Sequence, residues 1–152
     1  MAKGDVHFFA AWMLAVQSGA ISVNLNSDAI KLSIVDNSVV PTASTLAPCF
    51  GAGGTTNFAA HQVATATGYS GPIAETCSIS QSGAVVTLAA SNVTIAQDAS
   101  GFSNGYFGIL YDNTLANKNC IGFIDLGGPV GNVAGPININ WNASGFGTET
   151  AS

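Results

Sequence analysis

The sequence has very few charged side chains. Only 7% of its 152 residues are Asp, Glu, Lys or Arg, with three Lys, no Arg and a net charge of -5, whereas a typical soluble domain has about 25%. Binding to a phosphate backbone depends on several Lys or Arg contacts, so this composition all but excludes a nucleic-acid partner. Intrinsic disorder is also excluded, because disordered chains combine low hydrophobicity with high net charge and the mean hydropathy here is +0.38.

The sequence also lacks a hydrophobic run that could span a membrane as a helix. Its most apolar stretch, residues 8–16, has nine residues, whereas a membrane-spanning helix needs about 20. As a secretory signal, the N-terminal region would use Lys3 as its basic part and residues 18–20 as a small-residue cleavage site. Asp5 cancels the charge of Lys3 and weakens that interpretation. We therefore expect no membrane partner.

No two cysteines form a C-x-x-C pair, the usual basis of zinc and redox sites. Cys49, Cys77 and Cys120 are odd in number and widely spaced. The simplest interpretation is that they are small buried hydrophobic residues in a reducing compartment. One internal disulfide is the alternative, and no metal site is expected.

Small neutral residues take the place of charge. The sequence contains 15 Ser, 12 Thr, 13 Asn and 18 Gly residues. Because soluble monomers normally depend on surface charge of mixed sign, a nearly uncharged surface indicates that much of it contacts protein rather than water. Some secreted β-proteins share this composition, which leaves a secreted domain as the alternative.

The length fits one domain with a single core. Asp5 is placed to cap a helix that ends near Ser18, with Gly19 as its exit. The helix is apolar nearly all round, which predicts burial on two sides, either in the chain's own β-core or on a neighbouring subunit. We divide the chain into a helical segment (residues 1–19), a β-core (residues 20–146) and a polar tail (residues 147–152).

The pattern after the helix predicts β-structure throughout. In residues 29–35, Ile30, Leu32 and Ile34 alternate with polar residues, so one face of this strand is expected to be dry and the other wet. Residues 137–142 also alternate and place Trp141 on the core side. The other predicted strands cover residues 61–67, 75–80, 83–89, 92–96, 106–111 and 120–126.

Turn signals join these strands into an all-β fold. The predicted strands at residues 106–111 and 120–126 flank a polar turn at residues 112–119. They form a hairpin that is expected to end at residues 127–129. Residues 41–58, rich in Gly, Thr and Pro, predict a long surface loop. About eight short strands with a short N-terminal helix are typical of a jelly roll or β-sandwich.

The motif matches do not support catalysis. Residues 101–105 match the G-x-S-x-G nucleophile elbow, but His7 and His61 both precede Ser103, and that chemistry requires a later His. Residues 51–54 are Gly-rich but lack the Lys-Ser/Thr of a phosphate-binding loop. A Gly-rich turn is the better interpretation of the first match and a flexible loop of the second.

Acidic residues offer no clear site either. Asp98, Asp112 and Asp125 are too scattered for a calcium loop, whose ligands recur within about twelve residues. Glu75 could act in a sugar-cleaving pair, but sequence spacing cannot identify a second carboxylate for it. His61 is expected to be a hydrogen-bonded strand residue. We expect no enzymatic activity and no cofactor.

Five strings carry a resemblance to a known group. Their order and spacing resemble small structural proteins of tailed bacteriophages, among them capsid cement, or decoration, proteins. The resemblance spans most of the chain, apart from the Gly-rich residues 49–57 and the tail after Phe146. The strings are SDAIKLSIV (residues 27–35), GY (68–69), GILYDNT (108–114), IGFIDLG (121–127) and INWNASG (139–145).

The resemblance implies a β-sandwich or jelly roll, commonly trimeric, on the outer capsid surface at threefold and quasi-threefold positions. The expected partners are the major capsid protein and the chain itself as a homotrimer, with assembly in the bacterial host cytoplasm. A tail or head-fibre structural protein and a secreted carbohydrate-binding β-domain are the alternatives.

Three segments are expected to form the contacts: residues 6–16, 41–58 and 147–152. The candidate interface residues are Phe8, Phe9, Trp12, Met13, Phe50 and Phe58.

Overall fold

A computed structural model describes residues 3–150, which form twelve β-strands, one α-helix and one 3-10 helix. This confirms the all-β class, with more strands than predicted. The elements are β1 (Val6–Phe8), α1 (Ala10–Gln17), β2 (Ile30–Val35), β3 (Pro48–Cys49), β4 (Thr56–Asn57), the 3-10 helix (Phe58–His61), β5 (Ile73–Ala74), β6 (Cys77–Ser82), β7 (Val85–Ala90), β8 (Val93–Ile95), β9 (Gly105–Asp112), β10 (Cys120–Val130), β11 (Ile137–Ile139) and β12 (Gly147–Thr150).

An antiparallel five-stranded sheet, in the order β1-β10-β9-β2-β5, forms the centre of the molecule. The predicted hairpin is its middle pair, with Cys120 opposite Tyr111. The expected end of that hairpin at residues 127–129 is wrong, because β10 continues to Val130 through a register shift. Gly127 and Gly128 adopt φ angles of 81° and 113° there, which residues with a side chain rarely adopt.

Two smaller antiparallel sheets, β12-β7-β6 and β11-β8, cover one face of the central sheet. Aliphatic side chains fill the space between the layers. We call them the aliphatic core; its members include Ile30, Leu32, Ile34, Leu88, Ile95, Leu110, Ile124 and Ile139.

The opposite face of the central sheet is buried as well, beneath the N-terminal segment and residues 41–58. Aromatic side chains dominate this second cluster, which we call the aromatic core; it contains Phe9, Phe50, Phe58, Phe107, Tyr111 and Phe123. The prediction of a wet face on β2 is therefore wrong: Ser33 and Val35 are both fully buried. The Tyr69 hydroxyl lies beside Ser33 Oγ and accepts a hydrogen bond from the Ile34 N–H at 3.0 Å.

The N-terminal helix is shorter than predicted. Val6–Phe8 is a strand that pairs with residues 122–124 of β10, so sheet pairing takes the backbone groups that a helix from Asp5 would use. The helix begins at Ala10 without a side-chain cap, and Gly19 follows it with φ 73°. Burial on two sides is also wrong: none of residues 10–17 is buried, and Leu14 is 70% exposed.

Three further segments differ from the predictions. A 3-10 helix ends at His61 where a strand over residues 61–67 was expected, followed only by isolated bridges at Gln62 and Ala66. The strand β11 ends at Ile139, and Trp141 beyond it is half-buried against the aliphatic core. The tail is a strand through Thr150, paired with β7, and residues 151–152 lie outside the described part of the chain.

Candidate functional site

Three of the six candidate interface residues lie inside the molecule. Phe9 and Phe58 are completely buried and Phe50 is 6% exposed. The Phe9 ring packs on Phe58 and Phe123, with centroid distances of 6.0 and 5.2 Å, and Phe50 stacks on Tyr111 at 4.3 Å. These rings hold the aromatic core together and leave little surface for a partner.

The other three candidates lie nearer the surface. Phe8 and Trp12 are half-buried and their rings stack at 5.8 Å, while Met13 is 37% exposed. This pair connects β1 to the first turn of α1. The accessible part of the predicted site is thus the outer side of the helix.

An apolar groove of about 210 Å³ lies between α1 and the three-stranded sheet. Ile79 on β6 is 41% exposed, although it is the single aliphatic residue in a strand of small polar residues. Sequence reasoning missed it, because a lone Ile in such a strand looks like the inward face of a weak alternation. The lining residues are Trp12, Met13, Val16, Gln17, Val23, Asn24, Leu25, Ile79, Val86, Leu88 and Glu149.

The fold brings the three predicted contact segments together. The Ala10 N–H donates to the Ala43 carbonyl at 2.9 Å, which joins the helix to the loop of residues 41–58. Glu149 of the tail strand lines the groove beside the helix. Leu14 and Leu46, on the helix and on the loop, are 70% and 72% exposed. We call α1, the loop of residues 41–47 and the groove the apolar surface.

A second, polar cleft of about 950 Å³ lies elsewhere, between the β1 and β10 edge and the segment after β11. Asn138, Asn140 and Asn142 line it together with Trp141, whose backbone N–H donates to Asn92 Oδ1 at 2.9 Å. The alternation that predicted a strand here was therefore also the signal for a row of amide side chains. Lys3, Asp5 and Asp125 stand at the other wall of the cleft.

Glu75, in the connection from β5 to β6, is 6% exposed, and neither of its carboxylate oxygens has a hydrogen-bond partner among residues 3–150. Burial raises the pKa of Glu75 to about 7. The Trp141 indole N–H lowers the pKa of Glu75, although no hydrogen bond of good geometry joins the two groups. Burial, and then the Glu75 charge, raise the pKa of Cys77 to about 12. Within residues 3–150, Glu75 therefore has a thiol and an indole as neighbours rather than the second carboxylate that glycosidase chemistry needs.

The G-x-S-x-G match is a structural turn. A Cβ at Gly101 would overlap the Asn132 side chain, which is completely buried. Asn132 Oδ1 accepts from the Phe102 N–H at 3.0 Å and its Nδ2 donates to the Ala96 carbonyl at 2.9 Å. The glycine is thus required for close packing, as the Gly-rich turn interpretation expects.

The remaining expectations concern metals, disulfides and membranes. Cys49, Cys77 and Cys120 are all buried and unpaired. Within residues 3–150, no three His, Cys, Asp or Glu side chains are grouped to hold a metal ion. In the same part of the chain, no helix has the length and apolar character to cross a bilayer.

Comparison of the chain with protein-family models, with curated proteins and with solved structures found no match.

Proposed function

We propose that this protein is a structural component of a tailed-bacteriophage virion, a capsid cement protein that binds the outside of the major capsid shell as a homotrimer. Two independent features support the proposal: the surface is short of charge, and the resemblance covers strings that form the centre of the fold, β2, β9 and β10. A cement protein needs complementary surface rather than a reactive group, because it stabilises the shell by binding its assembled form.

The observation that carries the proposal is the apolar surface. Leu14, Leu46 and Met13 expose large side chains on adjoining segments, and burial of such a side chain contributes about 1.5–3 kcal/mol. Specific protein interfaces bury at least about 1,000 Å² and have an apolar centre. A helix, a loop joined to it by a hydrogen bond and the mouth of a groove beside it are suited to form such a centre.

The test is to place a charge in the middle of this surface. We expect Met13→Asp combined with Ile79→Asp to abolish trimer formation and shell binding while the monomer remains folded, because an unpaired charge resists burial. Ser78→Asp, at an exposed position beside Ile79, is the matched control. Sedimentation measures the oligomer, circular dichroism the fold, and electron microscopy of labelled virions the location.

The results separate the proposal from its nearest rival. Label spread over the capsid, lost in the double variant and kept in the control, supports a cement protein. Label confined to the tail or to fibres shows the alternative structural role. A wild-type protein that is monomeric and absent from virions refutes the proposal.

Salt dependence gives an independent check. With three Lys in 152 residues, attachment depends on packing rather than on ion pairs, and only charge contacts are screened by salt. We expect the protein to stay on particles in washes from about 0.05 to 1 M salt, roughly the range over which screening acts. Release at high salt would contradict this mode of attachment.

The polar cleft favours a second candidate function, binding of a neutral carbohydrate. Asn138, Asn140 and Asn142 line this cleft together with Trp141. The Oδ1 atoms of Asn138 and Asn142 accept from Thr94 and Ser144 within the chain, so these two residues offer mainly amide N–H donors to a ligand. Sites of up to about 1,000 Å³ with a few polar groups suit small ligands. In a screen of neutral glycans, this candidate requires binding that Trp141→Ala abolishes and Trp12→Ala preserves. No binding to the wild type eliminates it.

A further inference from the structure

Glu75 stands at the point where the chain passes from one layer of the molecule to the next. Its backbone N–H donates to the Ile30 carbonyl of β2 at 2.9 Å, in the central sheet. The carbonyl of the next residue, Thr76, accepts from the Ser91 N–H at 3.0 Å, directly after β7 in the three-stranded sheet. These two hydrogen bonds make the Glu75–Thr76 connection a joint between the two sheets.

The side chain of Glu75 points into the aliphatic core. Side chains alternate along an extended chain, and Ile73, two residues earlier, packs against that core opposite Leu32. Lys31 pairs with Ala74 and so lies on the other face of the sheet, away from the Glu75 carboxylate. The carboxylate therefore faces apolar side chains without an ionic partner.

The titratable groups on the adjoining elements do not offset a charge at Glu75. Cys77, on β6, stays a neutral thiol, since burial and Glu75 itself raise its pKa to about 12. Asp112 on β9 pairs with Ile30 and is completely buried, and burial raises its pKa too. Asp28 lies close enough to Asp112 to add to that rise. The segment of residues 140–146 contributes Trp141, whose indole N–H favours the Glu75 carboxylate but offsets only part of the effect of burial.

We infer that Glu75 is a pH-sensitive joint: as a neutral carboxyl it keeps the two sheets and the Trp141 segment closed, and as a carboxylate it loosens them. An ionised carboxylate without hydrogen bonds in an apolar environment is strongly disfavoured, whereas the neutral acid costs far less to bury. Because Trp141 lines the polar cleft and also adjoins Glu75, the loosening reaches one wall of that cleft.

The direction of the pH dependence of stability follows from the protonation of Glu75 in the native and in the unfolded state. The native state holds the Glu75 proton with a pKa of about 7, against 4.5 for an ordinary Glu. The resulting stabilisation is complete below pH 4.5 and is lost as the pH rises towards 7, since the unfolded state then releases the proton first. The protein is therefore more resistant to unfolding in mild acid than at neutral pH.

The test compares thermal unfolding of the full chain from pH 4.5 to 8. For the wild type we expect the melting temperature to fall by about 3–8 °C across this range. Glu75→Gln keeps the shape of the side chain but cannot ionise, so its fall should be at most half as large. Ser78→Gln introduces the same side chain at an exposed position on β6 without removing an acid, and should leave the wild-type curve unchanged.

Two more variants keep the test decisive. Glu75→Leu also removes the titration and replaces Glu75→Gln if that variant does not fold. Asp112→Asn measures the share of the pH dependence that belongs to the other buried acid. A Glu75 variant whose curve runs parallel to the wild type overturns the inference, whether Asp112→Asn flattens the curve or not.

Tryptophan fluorescence reports on the native state directly. In a Trp12→Phe background the signal comes from Trp141, and we expect it to titrate with a midpoint near pH 7. Glu75→Gln should abolish this transition. A Trp141 signal that stays flat from pH 5 to 8 in the parent protein would show that the carboxylate does not act on this segment.

Discussion

The central sheet and the three-stranded sheet differ in how much of each is covered. β2, β9 and residues 120–126 of β10 are mostly buried on both faces, between the aliphatic and the aromatic cores. In β6, β7 and β12 the side chains are mostly exposed or half-exposed. The covered sheet therefore supplies most of the stability, and the open sheet, with α1 beside it, is available for contacts with other molecules.

The largest effect on stability is expected for Phe58→Ala, which tests this contrast on the covered side. Phe58 is completely buried against Phe9, and removal of a buried Phe costs about 3–5 kcal/mol. We expect the free energy of unfolding, measured by chemical denaturation of the monomer, to fall by that amount. Phe58→Leu refills part of the cavity and should lose less. A loss below about 1 kcal/mol would show that Phe58 does not stabilise the core, as expected for a surface residue.

A smaller effect is expected at Tyr69, whose hydroxyl contacts β2 of the central sheet. Tyr69→Phe removes the hydroxyl that accepts from the buried Ile34 N–H, and an unsatisfied buried donor costs about 1–3 kcal/mol. Tyr106→Phe, at a half-exposed position on β9, is the control and should stay within about 0.5 kcal/mol of the wild type. Equal losses in the two variants would mean that the Tyr69 hydroxyl adds nothing specific.

The smallest effect on stability is expected on the open side. Leu14 is 70% exposed, and Gln has a similar helix propensity, so Leu14→Gln should change the free energy of unfolding by less than about 0.5 kcal/mol. Self-association should weaken, which sedimentation over a range of concentrations would measure. If the variant loses stability as a monomer but associates as before, α1 contributes to stability rather than to contacts with other molecules.

The sequence predicts β2, β9 and β10 of the central sheet better than it predicts the segments that cover them. The β9–β10 hairpin and the β2 strand follow from long apolar runs, because such runs reflect burial whatever lies on top. Nothing local shows that residues 41–58 fold back over Val35, or that Val6–Phe8 pairs with β10 rather than extending α1. These outcomes depend on contacts between residues far apart in the chain.

The candidate site was predictable only in part. The three contact segments could be chosen from composition, and the fold places them side by side. The sequence does not predict which of their aromatic rings face outward. Phe8 and Phe9 are neighbours with the same local preferences, and only Phe9 packs between Phe58 and Phe123. The sequence marks Glu75 as a candidate only for a chemistry that needs a second acid, whereas its burial follows from sheet pairing.

The two outermost strands of the central sheet are unusually short. β1 has three residues and β5 has two, so each flank offers few free backbone groups to a strand from another molecule. A chain with so little electrostatic repulsion between copies would otherwise be prone to grow laterally into fibres. Brief flanks limit that route at the central sheet.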